Sequence, residues 1–224
     1  LNNPLPRAHS RGETTTGGHM ASTESLPRSL IERVGRGEAV VYPTSTLPAL
    51  GCRPEARALD LIYDLKGRDP SQPVSIAVAD LNQASELVVI PEGTSQLLAS
   101  FHEGSLTLVL PARSSVDSRL GGDSIAVRVV AHPTAKQLLR EVGPLTATSA
   151  NRSGEAPSAD CREAAEALGL PEDAALPEVC PGGQPSTLIR TYGHGPLTYG
   201  TALEVLREGI VSKSEVMSWS MRTL

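Results

Sequence analysis

The chain has 224 residues, of which 39% are hydrophobic and 20% charged, and it carries a net charge of −5. That balance belongs to a folded chain with one substantial core rather than to a disordered one, and no apolar run approaches the roughly 20 residues that cross a bilayer. The acidic charge and 3% aromatic content argue against a general nucleic-acid coat or a base-stacking platform, while three scattered cysteines, Cys52, Cys161 and Cys180, are too few for a disulfide framework and suit a reducing cytoplasm.

Residues 1–22 read as a tail: Asn2-Asn3-Pro4 and Thr14 to Met20 are turn-rich and aperiodic, and Gly18 to Ser22 resembles an expression-vector remnant. No charged-then-apolar signal pattern precedes Ala21. The domain is expected over 23–224. Leu26, Leu30 and Val34 fall at helical spacing, and Ala39 to Tyr42 is a short buried-type strand. A helix is expected from Glu55 to Leu65, a strand over Val74–Val78, and a helix over Thr94–Phe101. Strands follow at Ser105–Leu110 and Ile125–Val129, then a helix at Pro133–Val142. Leu145–Thr148 is a strand, and Ser158–Leu168 a helix that Ser158 can cap. Ser186–Arg190, Leu203–Leu206 and a closing helical turn over Ser214–Trp219 complete the series. Such alternation predicts an α/β fold: a single domain with a twisted, mixed or open sheet flanked by helices. The long connections near 111–124 and 170–185 leave room for antiparallel members.

Familiar signatures are missing. The chain has no GxxxxGK[ST] phosphate loop, no GxGxxG, no HExxH and no GxSxG elbow, and its five histidines are dispersed. Four loops rich in small hydroxyl residues remain: Pro43-Thr44-Ser45-Thr46, Lys66-Gly67-Arg68, Ser149-Ala150-Asn151 with Ser153-Gly154, and Ser186-Thr187. In an open α/β sheet such loops converge outside the carboxyl ends of the strands, where ligands bind. Lys66 is one of only three lysines beside 17 arginines. With Arg68 it offers a mobile point charge next to a planar fork suited to phosphate oxygens.

Six segments, in order, resemble the motifs of the YrdC/TsaC family, the L-threonylcarbamoyladenylate synthases. Tyr42 to Gly51 is similar to its Tyr-Pro-Thr-Asp/Glu-Thr-Val-Tyr-Gly-Leu-Gly opening, and Lys66-Gly67-Arg68 with Pro73 to its Lys-x-Arg motif. Ile125 to Val129 with His132-Pro133 resembles its Val-Ala-Val-Arg-Val segment, and Ser149-Ala150-Asn151-Arg152-Ser153-Gly154 its Ser-Ala-Asn-x-Ser-Gly signature. Ser186 to Ile189 and Leu206 to Gly209 are similar to the two closing motifs. The resemblance spans roughly residues 25–220 and implies a YrdC-like domain with a concave ligand cavity. It implies an enzyme that joins L-threonine, bicarbonate and ATP, carried with Mg2+, into threonylcarbamoyl-AMP and pyrophosphate. Partner proteins then use the product for N6-threonylcarbamoyladenosine at tRNA position 37. On that pattern Lys66, Ser124, Ser149, Asn151 and Arg207 would bind ATP, and Lys66 and Arg68 would offset charge on the departing pyrophosphate. Thr44, Ser75, Arg128, Ala147 and Ser186 would line the threonine pocket, with no metal ligand among protein side chains.

The chain departs from the family pattern at several positions. Ser45 stands where the family has Asp or Glu, Pro48-Ala49 replaces Tyr-Gly, and Asp69 replaces a proline beside Arg68. His102-Glu103-Gly104-Ser105 replaces Trp-Pro-Gly-Pro, and Val130 another proline. Most of these changes lie toward the threonine end, while the Lys-x-Arg, Ser-x-Asn and Arg128 positions survive. Two alternatives therefore stand beside the synthase: a non-catalytic paralogue that binds nucleotide or RNA, and carbamoyl-adenylate chemistry on another substrate. RNA would need a local basic groove, for which Arg68, Arg128 and Arg152 are the candidates.

Overall fold

Alternation of side chains along short strands decides how this chain layers. In the computed structural model, which describes residues 25–192, 197 and 202–222, the strands form one eight-stranded sheet in the order β1-β2-β6-β3-β5-β4-β7-β8. They are β1 (Val40–Tyr42), β2 (Ala49–Gly51), β3 (Ser75–Val78), β4 (Leu106–Pro111), β5 (Ser124–Val129), β6 (Leu145–Ser149), β7 (Thr187–Thr191) and β8 (Leu203–Arg207). The sheet is mixed, as expected: β3–β5 and β4–β7 are parallel, and the remaining neighbours antiparallel. The proposed tail 1–22 lies outside the described residues, as do His194 and Tyr199.

Most strands send their large apolar residues to one face. Leu50, Ile76, Val78, Leu108, Ile125, Val127 and Ile189 join one core cluster. Helices α2 (Ala56–Lys66), α4 (Thr94–Ala99), α6 (Cys161–Ala167) and α7 (Lys213–Arg222) pack on that side through Leu59, Ile62, Leu97, Ala164 and Trp219. The opposite face presents Val40, Tyr42, Ala49, Ala77, Ala79 and Leu145 to α1 (Arg28–Gly35) and α5 (Pro133–Val142). Leu30 and Val34 of α1, and Ala135, Leu138 and Leu139 of α5, form the apolar stripes that meet it. Pro133 opens α5 at a position whose N–H needs no helical partner.

The structure adds a strand, an α-helix and two short 3-10 helices, Ser118–Leu120 and Glu172–Ala174, and corrects one helix start. β2, Ala-Leu-Gly, is a three-residue strand hidden behind Pro48, and α3 (Leu81–Ser85) is a five-residue helix. α6 begins at Cys161 with Asp160, not Ser158, as its cap. The Asp160 carboxylate accepts from the backbone N–H groups of Arg162 and Glu163 at 2.8 and 3.1 Å. Ser158 supports it instead, accepting the Asp160 N–H and donating to Glu163. Losing an Asp cap costs about 1 kcal/mol. Asp160→Ala should therefore lower the urea midpoint by that equivalent, and Ser158→Ala by less; the reverse order would return the cap to Ser158.

Candidate functional site

The α1–α5 layer covers one end of its face of the sheet, and beyond it the strands present small side chains. Ser75 of β3, Ala126 of β5, Ala147 of β6 and Thr107 of β4 leave a cavity of about 290 Å³ there. The loop from Thr44 to Pro48, the segment around Pro73, Pro185-Ser186 and Arg207 rise around it. The site thus lies over the open face of the sheet, not outside the carboxyl ends of the strands, because only a mixed sheet lacking helices there leaves that face free.

Eight of the expected residues line this one cavity: Thr44, Arg68, Ser75, Arg128, Ala147, Ser149, Ser186 and Arg207. Lys66, Asn151 and Ser124 do not. Lys66 is the last residue of α2 and is 3% exposed. Its Nζ donates to the carbonyls of Ser149 and Asn151, both at 2.5 Å, and its own carbonyl accepts the Ser153 N–H at 2.8 Å. Gly67, at φ 57°, turns the chain so that Arg68 can reach the cavity. Lys66 is therefore a buttress behind the wall, pinning the Ser149–Ser153 turn to the end of α2. The Asn151 amide donates to the carbonyls of Arg152 and Glu155 and shapes the same turn. Ser124 shares the face of Ala126 and Arg128, two residues before Ala126, and stands beyond the cavity rim.

Most other polar groups on the wall are held by neighbours. Thr44 Oγ1 donates to the Leu47 carbonyl at 2.7 Å and accepts the Thr46 N–H, closing the loop on itself. Ser75 donates to the Ala147 carbonyl, and the Ser186 and Thr107 hydroxyls share a hydrogen bond at 2.7 Å. Thr107 was not anticipated; parallel pairing of β4 with β7 carries it there, a contact that no local pattern records. Arg68 donates to the carbonyls of Gln72 and Pro73, and Arg207 to that of Ser186. Asp69 turns away to accept the Ser71 N–H, so it forms no ion pair with Arg68. Arg152 is exposed and lies off the cavity wall.

Charge on this wall has one sign. Arg68, Arg128 and Arg207 line it without an Asp, Glu or His among the described lining residues, and none of the three is in an ion pair within the described residues. Burial, with the Arg68 guanidinium nearby, pushes the Lys66 ammonium down to about 8. Burial likewise lowers Arg128, with Arg207 adding to the effect. Concentrated positive charge in a concave, small-residue site is an anion receptor. A second groove, of about 580 Å³, runs between α4 and α5; Lys136 there is paired with Glu103, and no expected site residue lines it.

The family model for Sua5, YciO and YrdC proteins, described as "Telomere recombination", matches residues 8–209. The chain belongs to this family. A threonylcarbamoyl-AMP synthase of Nitrosococcus oceani is 38% identical over 156 residues, covering 67% of this chain and 84% of that protein. The solved P. abyssi Sua5 in complex with L-threonine superposes with a TM-score of 0.70 at 28% identity, covering 84% of this chain and 56% of that one. The chain thus spans little more than half of that Sua5. E. coli YciO, at 24% identity and a TM-score of 0.66, shares the fold over 84% of this chain and 90% of its own.

Because two carbonyls converge on one ammonium, Lys66→Met should cost roughly 1–3 kcal/mol, the penalty for leaving buried acceptors unsatisfied. It should also speed hydrogen exchange at the Ser153 amide. Unchanged exchange there would mean that the turn holds without Lys66.

Proposed function

We propose that this family member makes threonylcarbamoyl-AMP from L-threonine, bicarbonate and ATP, releasing pyrophosphate, and so acts as a nucleotidyltransferase in N6-threonylcarbamoyladenosine formation on tRNA. The observation that carries the reading is the single cavity in which three unpaired guanidiniums face small hydroxyl-bearing strands, and the naming of the 38%-identical relative supports it. The threonine complex of Sua5 supports the choice of amino acid.

The chemistry asks little of protein side chains beyond placement and charge. Threonine and bicarbonate give a carbamate whose oxygen attacks the α-phosphorus of ATP, and the bond to pyrophosphate breaks. Holding weak reactants in line can lower a barrier by roughly 7–11 kcal/mol, so the cavity needs no nucleophilic side chain. Arg128 receives the amino-acid carboxylate through its free fork, and Ser75, Ala147 and Ser186 shape that end. Arg68 and Arg207 meet the phosphates, and Lys66 fixes the Ser149 turn against which the nucleotide lies. Mg2+ carried by the triphosphate would moderate its charge; the described wall offers no carboxylate to hold the ion. The product passes to tRNA-modifying partner proteins, and the three free cysteines suit work in the cytoplasm.

Incubation with ATP, bicarbonate and Mg2+ should release pyrophosphate only when threonine is added; ATP binding without such release would mark a nucleotide-binding paralogue. Arg128→Ala should raise the threonine KM about ten- to hundredfold, the worth of a charge-assisted pair, and an unchanged KM would remove its role. Lys66→Ala should impair turnover far more than Lys136→Ala or Lys213→Ala.

The ammonium of Lys66 is charged below about pH 8 and neutral above it. ATP affinity should therefore fall as pH rises beyond 8, the bound anion delaying the loss somewhat. In Lys66→Arg, whose guanidinium keeps its charge but fits the two carbonyls less well, calorimetry should find a weaker affinity that stays flat across the same range. An identical fall in both proteins would locate the titration elsewhere.

A further inference from the structure

Behind the Thr44 loop, two of the three cysteines meet. The chain doubles back there as a short antiparallel ladder centred on Asp160 and Val179. In it the Cys161 N–H donates to the Glu178 carbonyl at 3.0 Å and the Cys180 N–H to the Ala159 carbonyl at 2.8 Å. Cys161 and Cys180 alternate with the central pair and so project to one face, where their thiols share a hydrogen bond. Cys180 Sγ also accepts the Thr44 N–H at 3.4 Å, and two residues on, the Gly182 N–H donates to the Thr46 carbonyl at 2.7 Å. Thr44, Thr46, Pro185 and Ser186 all line the cavity. A dithiol thus stands one hydrogen bond from the site, and adenylate chemistry gives it no work.

The two sulfurs are not equivalent. The hydrogen bond from Cys161, helped by the Thr44 N–H, holds the Cys180 thiol below its ordinary value despite burial. The same contact and burial push the Cys161 thiol up. Cys180 is accordingly the thiolate that attacks first, and Cys161 the thiol that resolves. Both are buried, but Val179 is 67% exposed and Pro181 is exposed as well, so a small oxidant reaches Cys180 across a single residue. They also differ in freedom. Cys161 opens α6 under the Asp160 cap and packs in the core, whereas Cys180 begins a stretch, 180–186, without helix or strand. When the contact closes to a bond, Cys180 is the side that moves, away from the Thr44 N–H.

We propose that Cys161 and Cys180 form an oxidative-modification site for peroxides, and that their disulfide releases the Thr44 N–H and loosens the loop at the cavity. The Cys180 thiolate attacks one peroxide oxygen, the O–O bond breaks, hydroxide leaves, and Cys180 becomes a sulfenic acid. The Cys161 sulfur then attacks Cys180, the S–O bond breaks, a second hydroxide leaves, and the two thiol protons convert both hydroxides to water. The two sulfurs together lose two electrons and the peroxide gains them. No substrate takes part, so the step is independent of the synthase reading.

The test exposes the reduced full chain to hydrogen peroxide without substrates. The mass should fall by two hydrogens, and a non-reduced digest should join the Cys161 and Cys180 peptides. Exchange at the Thr44 amide should quicken roughly two- to tenfold, the worth of one neutral hydrogen bond. Dithiothreitol should reverse all of these changes. In Cys161→Ala, which lacks the resolving thiol, dimedone should instead capture a sulfenic acid on Cys180; no capture there overturns the order of attack. A digest without the link, or one that joins either cysteine to Cys52, overturns the site. A link formed with Thr44 exchange unchanged overturns its hold on the cavity loop. Should Cys161→Ala fail to fold, the natural-sequence measurements alone decide.

Discussion

The candidate site depends on a division of side-chain size between the two faces of one sheet. On one face the strands carry leucine, isoleucine and valine and are sealed by four helices. On the other, Ser75, Ala126, Ala147 and Thr107 occupy the corresponding alternate positions. Small residues cannot fill the space that a second helical layer leaves uncovered, so the face stays concave. Closely packed interiors make such a hollow specific, because replacing any of these side chains by a larger one fills the cavity directly. The same period-2 alternation that builds the core therefore builds the site.

Electrostatics then gives the hollow its selectivity. The whole chain has a net charge of −5, yet the described cavity wall carries three guanidiniums and no acid. Elsewhere several arginines are paired with acids: Arg119 bonds to Asp60 and Asp117, and Arg33 to Glu38 and Asp173. For the three arginines of the cavity wall the acceptors are carbonyls and a hydroxyl, from Gln72, Pro73, Gly104, Ser45 and Ser186. Neutral acceptors orient a cation and leave its charge to act on whatever enters. The general acidity of the surface says nothing about this wall, because net charge averages over places a ligand never visits.

Long periodic elements were legible in the sequence, and the tertiary wiring was not. Leu59, Ile62 and Tyr63 at helical spacing announce α2, and the apolar register of Ala135, Leu138 and Leu139 announces α5. Ala49–Gly51 escapes such reading because one leucine between alanine and glycine, set between a proline and a cysteine, shows no period, although the segment pairs on both sides. Asp160 and Ser158 are both capable caps two residues apart, and only the backbone path chooses between them. The site divides in the same way. Loops bearing Thr44, Arg68, Ser149 and Ser186 stand out as hydroxyl-rich or charged segments. The Gly104 carbonyl, Thr107 and the hydroxyl of Ser45 contribute through contacts between strands and loops distant in sequence, which no local pattern encodes.

Lys66 shows why a residue type at a motif position does not by itself disclose its work. An isolated ammonium among phosphate-binding loops suggests direct contact with phosphate. Here its Nζ is buried behind the wall and held by the Ser149 and Asn151 carbonyls. A guanidinium could not replace it without spreading charge over a plane too broad for two converging carbonyls. In a chain with 17 arginines and three lysines, a compact cation is retained where compactness matters. It acts on the cavity through the turn it holds, whose Ala150, Asn151 and Ser153 N–H groups are bonded within the protein to the Pro48, Ser149 and Lys66 carbonyls. Removing the ammonium would free the Ser149 and Asn151 carbonyls it draws back and so alter the shape of the wall.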